Sequence, residues 1–263
     1  MRELPYGFYN DQEREDAARL EVLLEQAEAS GPMTQEIFNE LQEIAMRSPK
    51  PGEYEARRQE GDTLYIKAWP GEEPWYHYAY EEQGLDPTVK RVVCVGSAYP
   101  VAWLLLARQL DGGGDSEQGR KFAEVSLGVE EHAASLCEVG AMVGAEGELE
   151  MALGLFSRAF ELREDVPPWL RSRAALGVGV TLLEDSQLDQ AEEAIKLALQ
   201  FDPESEVAKH ALQFVEDSRG EQAASGDSTA PAADKPADLG VFRPLDDPIV
   251  QDLLKGQGDA DDE

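Results

Sequence analysis

Three sets of residues through the middle of the chain share one spacing, and that spacing restricts the fold more than any other feature. Trp103, Leu106, Ala107, Leu110 and Gly119 form the first set. Leu136, Val139, Gly140, Val143 and Ala152 form the second, and Ala175, Val178, Gly179, Leu182 and Ala191 the third. The offsets within each set are identical, and the sets begin 33 and 39 residues apart. Phe156 and Ile195 stand four residues beyond Ala152 and Ala191, and Pro203 stands twelve beyond Ala191. Intervals of three and four place the first members of each set on one face of a helix. Turn-forming clusters fall between them, at Asp111–Gly114, Gly144–Gly147, Val166–Pro168, Glu184–Gln187 and Asp202–Pro203. Residues 100 to about 217 therefore read as successive helix-turn-helix units, since self-similarity at this period marks stacked supersecondary elements.

The residue types explain the spacing. Gly140 and Gly179 are small enough for the two helices of a hairpin to approach closely, and Ala152 and Ala191 play the same part on the facing helix. Phe156, Ile195 and Leu182 fill the space between hairpins. Each hairpin leaves an apolar face that only a neighbour can cover, so the units stack. The helix after Pro203, with Val207, Ala211, Leu212 and Val215, is expected to cap the last of them.

Over residues 100–204 the chain resembles the tetratricopeptide repeat family, whose pattern is W-x2-L-G-x2-Y, then A-x3-F, then P. The stretch ALGVGVTLLEDSQLDQAEEAIKLALQFDP carries the likeness most fully, and LCEVGAMVGAEGELEMALGLFSRAFEL nearly as well. The first unit keeps Trp103 but has Gly119 for the small alanine and Ala123 for the aromatic. Two weaker hairpins are expected to precede it, ending near Pro49 and at Leu85-Asp86-Pro87. The resemblance implies a superhelix whose concave groove receives a segment of a partner. Carried over position by position, the groove face is Val101, Leu104 and Arg108, then Ala134, Cys137 and Ala141, then Arg173, Leu176 and Val180. Some family members clamp an acidic chaperone C-terminus with lysines and asparagines. Leu104, Arg108, Cys137, Ala141 and Arg173 do not make that clamp, which argues against a co-chaperone role.

Ahead of the repeats, residues 1–9 read as a flexible lead and residues 10–99 as a helical region of degenerate hairpins. Asn10 or Asp11 can cap a first helix running through Ala29, and Ser30-Gly31-Pro32 breaks it. A second helix puts Ile37, Phe38, Leu41, Ile44 and Ala45 on one face. Glu53 to Ala68 reads as a further helix. Trp75, Tyr76, Tyr78 and Tyr80 form an aromatic knot. The run Arg91–Gly96 fits a buried strand or a short helix equally by periodicity; helix is favoured because no strand of similar strength exists to pair with it.

The last stretch, 220–263, carries eleven acidic and three basic side chains with little apolar content. Such a composition cannot bury enough surface to offset chain entropy, so a disordered acidic tail is expected. One island, 241–254, differs. Asp247 can cap a short helix with Pro248 at its first position, and Ile249, Val250, Leu253 and Leu254 follow on one face, with Phe242 upstream. Burial would gain roughly 1.5–3 kcal/mol per side chain, against about 1–2 kcal/mol per residue in backbone entropy. The island is therefore loose until gripped: a linear motif for another protein, or a tethered plug for the chain's own groove.

The fold class expected is all-α: an α-solenoid of stacked hairpins with a disordered acidic C-terminal tail. The formal charge of −31 repels phosphate backbones and anionic lipid heads. Nucleic acid and membrane are poor partners for it, and an apolar or basic protein segment is a better one. Cys94 and Cys137 are too few for a disulfide framework and show no metal spacing, so they read as packed thiols. No apolar run has signal-peptide or membrane-span length, and the cytoplasm is the expected location. His77, His132 and His210 lie far apart, with no metal-ligand spacing. Gly96-Ser97-Ala98-Tyr99 lacks the G-x-S-x-G of a nucleophile turn, and Gly112-Gly113-Gly114 lacks a phosphate-loop lysine. The strongest enzyme reading is His77 among its aromatic neighbours. No catalytic residue, metal or cofactor is assigned. The reading is an interaction scaffold or adaptor; the alternative is a chaperone shielding an aggregation-prone apolar client, and an enzyme comes third.

Overall fold

The structure is a computed structural model that describes residues 4–30 and 33–225, the side chains of 28–30 and 221–225 excepted. Its contacts divide the chain into two units, the first ending at Glu131 and the second beginning at His132. The first repeat hairpin therefore belongs with the N-terminal elements and not with the two hairpins that follow it. The described chain is mostly helical. Among the described residues no helix is long and apolar enough to cross a membrane.

The first unit opens with α1 (Asp11–Ser30) and α2 (Gln35–Ala45). Asn10 caps α1, its Oδ1 accepting the Glu13 amide at 2.8 Å. Thr34 caps α2 through the Ile37 amide. Ile37, Leu41, Ile44 and Ala45 are buried along one face of α2, while Phe38 is half-buried.

Beyond them the structure overturns the helical reading of residues 53–68 and 91–96, and with it the expectation that everything ahead of residue 100 is degenerate helical hairpins. Strands β1 (Arg57–Glu60), β2 (Thr63–Ala68) and β3 (Arg91–Gly96) form one sheet in the order β1-β2-β3. β1 and β2 are an antiparallel hairpin. Its two-residue loop puts Gly61 at φ +64°, a conformation that a residue with a Cβ adopts only at a cost. β3 pairs with β2 in parallel, which requires a crossover. The crossover is α3 (Glu73–His77) running into a π-helical turn at Tyr78–Glu82. All six residues of β2 are buried, so it is the strand partner that the sequence reading did not find. One of the six is Lys67, which interrupts the apolar run and hides the strand.

The sheet alternates its side chains between two layers. Leu64, Ile66 and Ala68 pack with Tyr76, Val89 and Val92 on the crossover side. Tyr65 and Lys67 face the other way, toward Phe8 and Glu13. The chain then enters α4 (Tyr99–Gly112) and α5 (Ser116–Val129), with α2 packed on α4.

The second unit holds α6 (Ala133–Ala145), α7 (Leu149–Glu161), α8 (Pro168–Glu184), α9 (Leu188–Phe201) and α10 (Glu206–Ser225). α8 touches all four of the others. α10 covers α9 through Ala208, Ala211 and Val215; Val207, expected on that face, is instead exposed. Its backbone also continues to Ser225, past the expected start of the tail at 220. The rest of the tail, including Phe242, Ile249, Val250, Leu253 and Leu254, lies outside the described residues.

The three repeat hairpins, α4–α5, α6–α7 and α8–α9, share one internal geometry. At equivalent positions Gly114, Gly147 and Ser186 take φ values of +88°, +85° and +60°. The residue after each returns its amide to the first helix: Asp115 to the Leu110 carbonyl at 2.9 Å, Glu148 to Val143 at 3.1 Å, Gln187 to Leu182 at 2.7 Å. Ser186 pays a left-handed strain that its two glycine counterparts avoid. Ser186→Gly is expected to raise stability by about 0.5–1 kcal/mol, the relieved strain being offset in part by a looser unfolded chain; a urea melt measures it.

The close approach read from the small residues is present in all three hairpins. A Cβ on Gly140 would lie 2.6 Å from the Phe156 ring, and one on Gly179 would collide with Ile195 Cγ1 while sitting 3.0 Å from the Ala191 carbonyl. In the first hairpin the glycine has moved to the other helix: a Cβ on Gly119 would lie 2.9 Å from the carbonyl of Ala107. A second contact is exchanged in the same way. Ser126 Oγ on α5 donates to the Pro100 carbonyl at 2.7 Å, whereas Ser172 Oγ on α8 donates to the Ala198 carbonyl at 3.0 Å, in the same register with donor and acceptor helices reversed. The middle hairpin has buried Ala133 and Ala159 at those two positions.

Candidate functional site

The nine positions of the expected groove face divide by chemistry. Val101 and Leu104 on α4 are buried, as are Ala134 and Cys137 on α6 and Leu176 and Val180 on α8. Arg108 is exposed; Ala141 and Arg173 are half-buried. All the apolar members except Ala141 thus serve as packing. In the second unit α6 and α8 lie together, and Arg173 Nη2 reaches across to Glu138 Oε2 at 2.8 Å. With Ala141 beside it on α6, this pair is what the face offers to solvent there.

The first unit holds a buried polar network that the sequence did not announce, because its members are scattered from Glu13 to Glu130. Lys67 Nζ lies 2.9 and 3.0 Å from the two carboxylate oxygens of Glu13, and each side chain is only 4% exposed. The ammonium sits 4.1 Å from the Tyr54 ring centroid and 5.2 Å from that of Phe8, so two aromatic faces add to its solvation. Tyr54 Oη lies 3.0 Å from Ser97 Oγ. Trp69 Nε1 donates to Glu130 Oε2 at 2.9 Å. One turn along α1 from Glu13, Asp16 accepts a fork from Arg47 at 2.7 and 3.0 Å. α1, the β1–β2 hairpin, the turn after β3 and the end of α5 are thereby tied into one cluster. Its charged pairs follow the rule that a buried ion needs a partner.

Burial sets the protonation of this cluster. Desolvation lifts the Glu13 carboxyl above its ordinary value, with Lys67 pulling it down. The Tyr54 phenol is held well above its usual range by burial, with the Glu130 charge adding to the effect, and burial pushes Tyr99 up to about 12. These phenols are neutral hydrogen-bonding groups at physiological pH, and none is poised as a base.

Beside the network, at the carboxyl ends of β2 and β3, lies a cavity of about 300 Å³ between α1 and the turns that lead into α3 and α4. Ser97, flagged in the sequence only as lacking a nucleophile motif, lines it while being 2% exposed. His77 does not line it. That ring is 39% exposed on the surface of α3, with Glu81 at 3.3 Å and Glu73 at 3.8 Å, and its aromatic neighbours divide between core and surface: Tyr76 buried, Tyr78 exposed. Cys94 and Cys137 are free thiols; burial pushes the first up to about 12, which keeps it protonated and unreactive. Among the described residues no group of three His, Cys, Asp or Glu side chains is placed to hold a metal ion. The chain matches no protein-family model and no curated protein sequence.

Proposed function

We propose that this chain is a protein-binding scaffold of the tetratricopeptide type, which holds an amphipathic segment of another polypeptide. The observation that carries the reading is the shared turn geometry and helix register of the three hairpins, each with a glycine at its close interhelical approach. A repeated unit of that kind presents equivalent helix faces in series, which is how stacked hairpins bind extended partners. The acidic surplus favours a partner with basic character. A cytoplasmic setting suits two free thiols. The buried state of Val101, Leu104, Ala134, Cys137, Leu176 and Val180 refines the proposal: these residues space the helices, and the partner meets the Ala141–Arg173–Glu138 patch on α6 and α8 of the second unit.

The test is a fluorescence-anisotropy screen of amphipathic peptides of basic and apolar composition against the full chain, followed by the variants. Ala141→Arg with Arg173→Glu is expected to weaken the best peptide at least about tenfold, because a bulky cation then stands where a basic segment docks and the Arg173–Glu138 pair is lost. Circular dichroism checks that the half-buried sites tolerate the change. A folded double variant that binds every peptide as the native chain does would exclude this face.

A further inference from the structure

The cavity at the carboxyl ends of β2 and β3 lies outside the hairpin faces and has a distinct chemistry. Parallel strands place their ligand crevices at these ends, where the outgoing turns diverge. Part of its wall is apolar, from Leu20 and Leu24 of α1, Trp69 and Val95 of β3, and the rest is polar, with Ser97 and two carboxylates. Its two ionisable lining residues are Glu21 on α1 and Glu73 at the start of α3, both exposed to solvent, and no lysine or arginine is among the residues that line it. Outside the lining, the His77 ring lies 3.8 Å from Glu73 on the same helix. A pocket that offers both apolar side chains and two solvent-exposed carboxylates suits a side chain with a long apolar stem and a positive head. An anion would meet two carboxylates on a chain of net charge −31, and a wholly apolar ligand would strip water from them without return. About 300 Å³ is at the lower end of ligand pockets, room for one side chain and not for a folded element.

We propose that this crevice receives an arginine or lysine side chain of a partner polypeptide, its stem along Leu20, Trp69 and Val95 and its charge beside Glu21 and Glu73. The inference rests on the scaffold reading only in taking the ligand to be a polypeptide, and it places a second contact in the other unit of the chain.

The experiment titrates the full chain, labelled with ¹⁵N, with acetyl-Leu-Arg-Leu amide, with acetyl-Leu-Gln-Leu amide, and with free n-butylguanidinium. The arginine peptide is expected to shift the Gly71, Gly96 and Ser97 amides saturably and to bind at least about fivefold tighter than the glutamine peptide, as two partly exposed carboxylates allow. Raising salt from about 0.05 to 0.5 M should erase most of that preference. Glu21→Gln with Glu73→Gln should abolish both the preference and its salt dependence. Both residues are exposed, so the fold should tolerate the change. Equal binding of the two peptides, or an arginine preference that survives the double substitution, overturns the proposal. Butylguanidinium binding as tightly as the arginine peptide also overturns it, in favour of a small-amine site. Failure here with Ala141 and Arg173 still required for peptide capture leaves the scaffold reading intact; the converse result removes the hairpin face alone.

Discussion

Lys67→Met is expected to lower the stability of the chain by about 3–5 kcal/mol, because it leaves the Glu13 carboxylate buried without its cation. The companion replacement, Glu13→Met together with Lys67→Met, is expected to recover most of that loss. Removing both charges also removes both desolvation penalties, and methionine fits irregular space. Urea melts of the two variants decide it: a double variant as unstable as the single one would mean that the pair is not the source of the cost. The pH dependence has a definite sign. Burial holds Glu13 above its ordinary value of 4.5 in the folded chain. Between the unfolded and the folded values the native state binds the extra proton, so stability falls as pH rises through that window. Loss of Lys67 takes away the charge that lowers the folded value and widens the window. Lys67→Met should therefore cost less near pH 5 than near pH 8.

Gly179→Ala is expected to cost about 3 kcal/mol, the upper end for one added methyl in a packed interior. Its Cβ would meet Ile195 Cγ1 together with two backbone atoms of α9, the Ala191 carbonyl and the Ile195 amide, each at 3.0 Å. Rotating a side chain cannot clear backbone, so the helices must separate. The three atoms nearest a Cβ on Gly140 all belong to the Phe156 ring, so Gly140→Ala is expected to cost about 1–2 kcal/mol, since a ring can tilt. Adding Ile195→Ala to Gly179→Ala should produce less than the sum of the single effects, with a coupling of at least about 1 kcal/mol between touching residues. Strict additivity would mean that positions 179 and 195 do not share the space between α8 and α9.

The hairpins were legible because their information is local and periodic. Phase, turn and small pair all fall within about thirty residues, and each of the three copies supports the others. Residues 53–99 were not legible, for two reasons. β2 carries Lys67 at a position that reads as solvent-facing, and the carboxylate that permits its burial is 54 residues away in α1. β3 finds its partner only through a parallel crossover, a pairing that leaves no mark at short range. The Gly61-Asp62 turn between β1 and β2 was a readable hairpin signal that the helical expectation passed over. The nine groove positions lie on α4, α6 and α8, and six of them are buried. Helical spacing tells which residues share a stripe, and burial depends on what the remainder of the chain lays over them. The polar network and the crevice beside it draw on α1, the strand ends and α5, a juxtaposition that only the tertiary fold supplies.

The exchange of Gly119 for the glycine carried at positions 140 and 179 in the later hairpins has a consequence for how such a unit can change over generations. What the interhelical contact requires is a glycine at one of two positions, on the first helix or on the second. Moving the glycine from one helix to the other demands two substitutions. The route between them passes through a pair of alanines that strains the contact or a pair of glycines that leaves a void. Each hairpin is thus held in one of two equivalent forms by a barrier in sequence space, and this chain carries both.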